Sequence, residues 1–85
     1  MPRIVLYSAD SCPYCRWARA LLDRKGARYT VLDVNHDPAL WREMAARTGR
    51  DTVPQIFIGD RHIGGCDDLV ALDQRGGLDP LLITD

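Results

Sequence analysis

Short apolar runs and stretches of helical periodicity alternate along this chain. Ile4-Val5-Leu6-Tyr7 is an apolar, β-favouring run and predicts the first strand. Trp17, Ala18, Leu21 and Leu22 then recur at helical spacing until Gly26, a helix C-cap, with both Trp17 and the later Trp41 expected to pack on helix faces. Residues 28–34 alternate Tyr29, Val31 and Leu32 with polar positions and read as a second strand. A β-helix-β unit of this length implies a right-handed crossover and parallel pairing. Asp37 is an N-cap ahead of Pro38 at a first helical position, and Ala39–Thr48 places Leu40, Met44 and Ala45 on one face before Gly49, with Met44 in the core. Gln55–Ile58, the turn signal Gly59-Asp60 and Arg61–Ile63 predict a β-hairpin, which Gly64-Gly65 breaks. Asp67 or Asp68 is expected to cap a third helix carrying Leu69, Val70 and Leu72 up to Gly76-Gly77. Asp79-Pro80 starts a last short turn of helix through Leu81-Leu82. The order β-α-β-α-β-β-α predicts an α/β fold, a mixed four-stranded sheet with helices packed on it.

Composition narrows this picture. The 85 residues, 46% of them hydrophobic, are expected to form one domain over 1–85 near the small end of what a single core sustains. Basic and acidic residues number 11 and 12 and are interspersed, with a net charge of -1. No basic patch results, which argues against nucleic acid or an anionic membrane as the main partner. No apolar run approaches the roughly 20 residues of a membrane helix. Met1-Pro2-Arg3 enters the first strand directly, leaving no room for a signal peptide, so a cytoplasmic, thiol-reducing location is expected. Three cysteines in such a compartment suit transient, catalytic thiol chemistry rather than a structural disulfide framework.

Cys12-Pro13-Tyr14-Cys15 carries that chemistry. Two residues between cysteines is the spacing of a redox dithiol or of half a zinc site. The motif stands where a strand turns into a helix, near a βαβ pattern, which favours the dithiol. Cys12, at the helix N-terminus, lies where unpaired N–H groups and the helix dipole favour an anion, and it is read as the nucleophile. Cys15, one turn further in on the side of Ala18 and Leu22, should be buried and act as the resolving thiol. Pro13 suits an early helical position, where its missing N–H costs nothing. A mononuclear zinc site is disfavoured, since Cys12, Cys15 and Cys66 lack a fourth ligand and neither His36 nor His62 falls at a metal-ligand spacing from them. No metal site is therefore expected.

Two further motifs stand in order behind the first: Thr52-Val53-Pro54 and Gly64-Gly65-Cys66-Asp67-Asp68. By themselves they read as an X-Pro turn before a strand and as helix-capping residues. Together with Cys-Pro-Tyr-Cys the chain resembles a dithiol glutaredoxin of the small bacterial type over essentially its whole length. The resemblance implies the thioredoxin fold and glutathione-dependent reduction of protein disulfides and protein–glutathione mixed disulfides, with glutathione as co-substrate, no tightly bound cofactor and a monomeric protein. It further implies a cis Val53–Pro54 bond facing the dithiol, with the Val53 N–H and C=O open to an extended substrate. Tyr14 would flank bound glutathione, and Thr52, Val53 and Pro54 would hold its cysteinyl part. Gly65, Cys66, Asp67 and Asp68 would receive the charged γ-glutamyl end, its carboxylate on backbone N–H groups and its ammonium on an Asp side chain. Cys66 is read as a packing residue in preference to a third redox thiol, and Arg50 as a candidate for the glycyl carboxylate. One departure stands out: where the family commonly carries a lysine shortly before the motif, this chain has Ser8-Ala9-Asp10-Ser11, and Asp51 adds a negative charge beside the Thr-Val-Pro loop. Glutathione affinity should fall accordingly unless a nearby arginine such as Arg16 substitutes. Two other readings keep the fold, a redoxin reduced by thioredoxin reductase and a dimer holding an iron–sulfur cluster on Cys12 and glutathione thiolates. Members of the second kind usually have a single active-site cysteine and a glycine where Pro13 stands.

Overall fold

The computed structural model describes residues 2–83, so Met1 of the N-terminal Met1-Pro2-Arg3 lies outside the described residues. Its elements run β1 (Ile4–Ser8), α1 (Pro13–Arg24), β2 (Thr30–Asp33), α2 (Pro38–Thr48), β3 (Gln55–Ile58), β4 (Arg61–Gly64), α3 (Cys66–Gln74) and α4 (Leu78–Leu82). The sheet order is β2-β1-β3-β4, with β2 parallel to β1 and both other pairings antiparallel. This is the expected α/β architecture of the thioredoxin fold, a mixed four-stranded sheet flanked by helices.

β1 is central, and all five of its residues are buried. Because side chains alternate across a strand, Ile4 and Leu6 enter one core while Val5 and Tyr7 enter another. β3 follows the same rule, sending Ile56 and Ile58 to the first and Phe57 to the second. The first core joins Ala18, Leu21 and Leu22 of α1 to Leu69 and Leu72 of α3 and Leu78 and Leu82 of α4. The second is smaller, with Met44 of α2 packed on Val5, Tyr7, Val34 and Phe57, and Trp41 partly buried against it. Its rim is polar: the Tyr7 hydroxyl donates to Glu43 and accepts from Arg47 (2.8 Å), whose guanidinium lies 3.8 Å from the centre of the Phe57 ring.

Helix ends follow the local chemistry closely. The Asp37 carboxylate accepts from the Ala39 N–H at 2.9 Å, Pro38 opens α2, and Gly49 closes it in the left-handed region. α1 ends at Arg24, with Lys25 as its C-cap and then Gly26, whose φ of 70° is what a helix-terminating glycine supplies. Four expectations need correction. β2 is shorter than 28–34, because only Thr30–Asp33 pairs with Val5–Ser8. α4 begins at Leu78, which is buried in the first core, rather than at Asp79. The cap of α3 is Gly65, not Asp67 or Asp68: the helix opens two or three residues earlier than expected, at Cys66, and Asp68 accepts the Gly65 N–H at 2.9 Å from the third position. Trp17 does not pack on the core but stands 62% exposed.

Candidate active site

Cys12 is the N-cap of α1, at extended backbone angles of -89° and 115°. Its sulfur takes the place a capping oxygen usually fills, accepting the Cys15 N–H at 3.3 Å. On its other side the Cys12 thiol donates to the Val53 carbonyl at 3.7 Å. Cys15 is fully buried beneath it, as the helical spacing foretold, and burial pushes its thiol up from the ordinary cysteine value. Cys12, Cys15 and Cys66 are all free thiols.

Beside Cys12 lies a groove of about 230 Å³. Tyr14 of α1, Thr52, Val53 and Pro54 of the loop before β3, and Gly65, Cys66, Asp67 and Asp68 at the start of α3 all line it. These are the eight residues the three motifs nominated, drawn from segments as far apart in sequence as 14 and 68. The Val53–Pro54 bond is cis. Tyr14 is half-exposed over the site, and Cys66 is buried, with its thiol pushed up by burial and then by Asp67. Asp68 pairs with Arg50 at 3.1 Å, and its carboxyl is held below the usual range by the Gly65 N–H first and by Arg50 second. Arg50 therefore brings a positive charge to the groove, whereas Arg16 is not among the lining residues. Ala9, in the segment lacking lysine, is nearly buried, and its carbonyl accepts the Cys12 N–H at 3.2 Å.

Gln55 belongs to this site and was read from sequence only as part of a strand. It is 1% exposed, and its amide donates to the Thr52 carbonyl at 3.1 Å and to the Thr52 hydroxyl at 3.3 Å. Its carbonyl oxygen meets His62 Nε2 at 2.7 Å, and His62 stacks on Phe57. This chain of bonds ties the Thr-Val-Pro loop to the hairpin. The signal was a polar residue opening an otherwise apolar buried strand directly after a proline.

His36 lies elsewhere, bridging Asp10 (3.0 Å) and Asp33 (3.5 Å) on an exposed surface, and those two carboxylates raise its pKa. The Asp10–Asp33–His36 group offers ligand atoms within 4.8 Å of one another, with no cysteine among them. Among the described residues no helix is long and apolar enough to cross a membrane.

Comparison with known proteins agrees with this geometry. Glutaredoxin 3 of Escherichia coli (strain K12) is 55% identical over 82 residues, which cover 96% of this chain and 99% of that protein. The solution structure of a glutaredoxin from Brucella melitensis superposes with a TM-score of 0.85 at 52% identity, over 96% of this chain and 89% of that one. The crystal structure of a buckwheat glutaredoxin–glutathione complex superposes with a TM-score of 0.87 at 36% identity, over 93% and 74%. The Glutaredoxin family model matches residues 4–63, and with these relatives it establishes that the chain belongs to the glutaredoxin family of glutathione-dependent thiol–disulfide oxidoreductases.

Proposed function

We propose that Cys12 is the nucleophile of this oxidoreductase, Cys15 its resolving thiol, and the groove beside them the seat of glutathione. The observation that carries the reading is the setting of the Cys12 sulfur: it caps α1, takes the Cys15 N–H, and faces the Val53 carbonyl at the edge of the groove. Cys12 is partly exposed there while Cys15 is buried, so Cys12 is the thiol that an incoming disulfide meets first.

With a glutathionylated protein, the Cys12 thiolate attacks the glutathione sulfur. A Cys12–glutathione disulfide forms, the protein–glutathione bond breaks, and the protein leaves as a thiolate that takes a proton. A second glutathione, as thiolate, attacks the sulfur of the bound one, so that oxidised glutathione departs and Cys12 regains its electron pair. With a protein disulfide, Cys12 forms the mixed disulfide and Cys15, once deprotonated, attacks the Cys12 sulfur. The substrate is released as a dithiol, and the internal Cys12–Cys15 disulfide is reduced by two glutathiones.

In the groove Val53 offers its backbone to the cysteinyl part of glutathione, beside Thr52 and Pro54, with Tyr14 flanking. The α3 start receives the γ-glutamyl carboxylate on the Cys66 N–H, beside Gly65, whose own N–H is held by Asp68, and Asp67 and Asp68 face its ammonium. Arg50 donates to the glycyl carboxylate in place of the absent lysine. A relative solved with glutathione bound, the buckwheat protein, supports glutathione as the ligand. On this reading the chain is one domain acting as a monomer on disulfide-containing or glutathionylated proteins, in the cytoplasm, with no tightly bound cofactor.

Cys12→Ser should abolish all thiol transfer. Cys15→Ser should keep turnover of glutathione mixed disulfides, which needs only the nucleophile, and lose dithiol reduction of a protein disulfide. Substantial turnover by Cys12→Ser would refute the assignment. So would equal activity with thioredoxin reductase in place of glutathione and its reductase.

A further inference from the structure

A second, larger groove of about 600 Å³ runs between α1 and α3, lined by Trp17, Leu21 and Arg24 on one wall and Cys66, Asp67 and Val70 among others on the opposite one. The chemistry described so far does not use it. It nevertheless adjoins the glutathione groove, because Cys66 and Asp67 line both. Its mouth carries an aromatic corner, where Trp17 meets Tyr14 edge to face at a centroid distance of 5.2 Å. Trp17 and Val70, at 62% and 39% exposure, leave a large apolar surface to solvent on either wall. A tryptophan so placed offers much area for burial by a partner at low side-chain entropy cost.

The established reaction says what the partner is. A mixed disulfide has two halves joined by a sulfur–sulfur bond: Cys12 attacks the glutathione sulfur, and the other half leaves with its own. We propose that the α1–α3 groove seats the polypeptide half: the extended segment flanking the reactive cysteine of a protein substrate, with an apolar side chain packed between Trp17 and Val70. The inference rests on the glutathione placement above, since that placement leaves this groove as the adjoining space for the protein half. Trp17 is five residues into the helix from Cys12, about 7.5 Å along its axis. An extended chain covers that in two to three residues at about 3.3 Å each, so the preferred apolar residue lies two or three positions from the substrate cysteine.

Burial of about 60 Å² of additional apolar surface at Trp17, at about 25 cal/mol per Å², corresponds to about tenfold in kcat/KM. The experiment uses three glutathione mixed disulfides: that of 2-mercaptoethanol, that of a peptide with Leu two residues from its cysteine, and that of the same peptide with Ser there. The wild-type protein should favour the Leu peptide over the Ser peptide by about tenfold. Trp17→Ser should erase that preference and leave the 2-mercaptoethanol substrate unchanged. Val70→Ser, on the wall away from Tyr14, should weaken the preference in the same direction. A preference surviving in both variants, or absent from the wild type, overturns the proposal. So does a wild-type dimer in sedimentation that Trp17→Ser converts to monomer, since a second copy then fills the groove. A wild type inactive on the 2-mercaptoethanol substrate would instead overturn the glutathione reading beneath it.

Discussion

Gly64 is the residue whose replacement tests most of this site at once. It closes β4 at a φ of 117°, where side-chain-bearing residues are rarely found. A Cβ built there would lie 2.7 Å from Asp68 Cγ and 2.9 Å from its Cβ, and nearer still to Oδ2. Gly64→Ala must therefore both strain the backbone and displace the carboxylate that accepts the Gly65 N–H and pairs with Arg50. Backbone strain of this kind costs about 1–3 kcal/mol, and loss of a helix-capping bond about 0.5–2 kcal/mol. The two share one displaced side chain and will not add fully, so about 2–4 kcal/mol is expected. For a domain of this size that lowers Tm by roughly 10–25 °C. Displacing Asp68 also removes a partly exposed charge from the glutathione ammonium, worth about 0–1 kcal/mol, so KM for glutathione mixed disulfides should rise a few-fold. Asp68→Asn separates the two effects, since its amide oxygen still accepts from Gly65 while the charge is gone: KM should rise with Tm nearly unchanged. Thermal unfolding and steady-state kinetics of both variants provide the assay. A Gly64→Ala protein with wild-type Tm and KM would refute the reasoning, because Asp68 could not then occupy the space beneath Gly64.

Because burial raises the Cys15 thiol, the rate at which a preformed Cys12–protein mixed disulfide resolves should climb about tenfold per pH unit between roughly pH 6 and 8, and a flat profile in stopped-flow quenching would contradict this. His36 has its folded pKa raised by Asp10 and Asp33, so its stabilisation is present below an unfolded value of about 6.5 and lost as pH rises through the folded one. The small difference in denaturation midpoint between wild type and His36→Gln should accordingly shrink as pH climbs above about 6.5. Met44 is fully buried in the second core, so Met44→Ala should cost about 2–5 kcal/mol in chemical denaturation while leaving the kinetics of the folded protein intact. Arg50→Ala should raise KM a few-fold at low salt, and the difference should fade as added salt screens the exposed charges.

Much of the site is legible in the sequence, for identifiable reasons. Cys12 and Cys15 stand three apart at a strand-to-helix junction, and helical geometry alone puts one at the helix end and the other in the core. The Asp37-Pro38 helix start and the Gly59-Asp60 hairpin turn are likewise written in residues adjacent in the chain. The clustering of Thr52–Pro54 and Gly65–Asp68 around one groove could be named from sequence only through resemblance to a family. No local rule joins positions 14, 52 and 66.

The sequence by itself determined the order and type of the elements, because periodicity and turn chemistry act between near neighbours. It also determined which thiol stands at the helix start. The tertiary structure decided what depends on which surfaces meet. Trp17 satisfies helical periodicity yet faces solvent, because α3 covers α1 through Leu21 and Leu22 and leaves the outer stripe open. Gly65 rather than an aspartate caps α3, because β4 ends at a left-handed glycine that brings the Asp68 carboxylate back onto the Gly65 N–H. Gln55 became part of the site because burying its amide obliges every polar atom to find a partner, and Thr52 and His62 were the groups within reach.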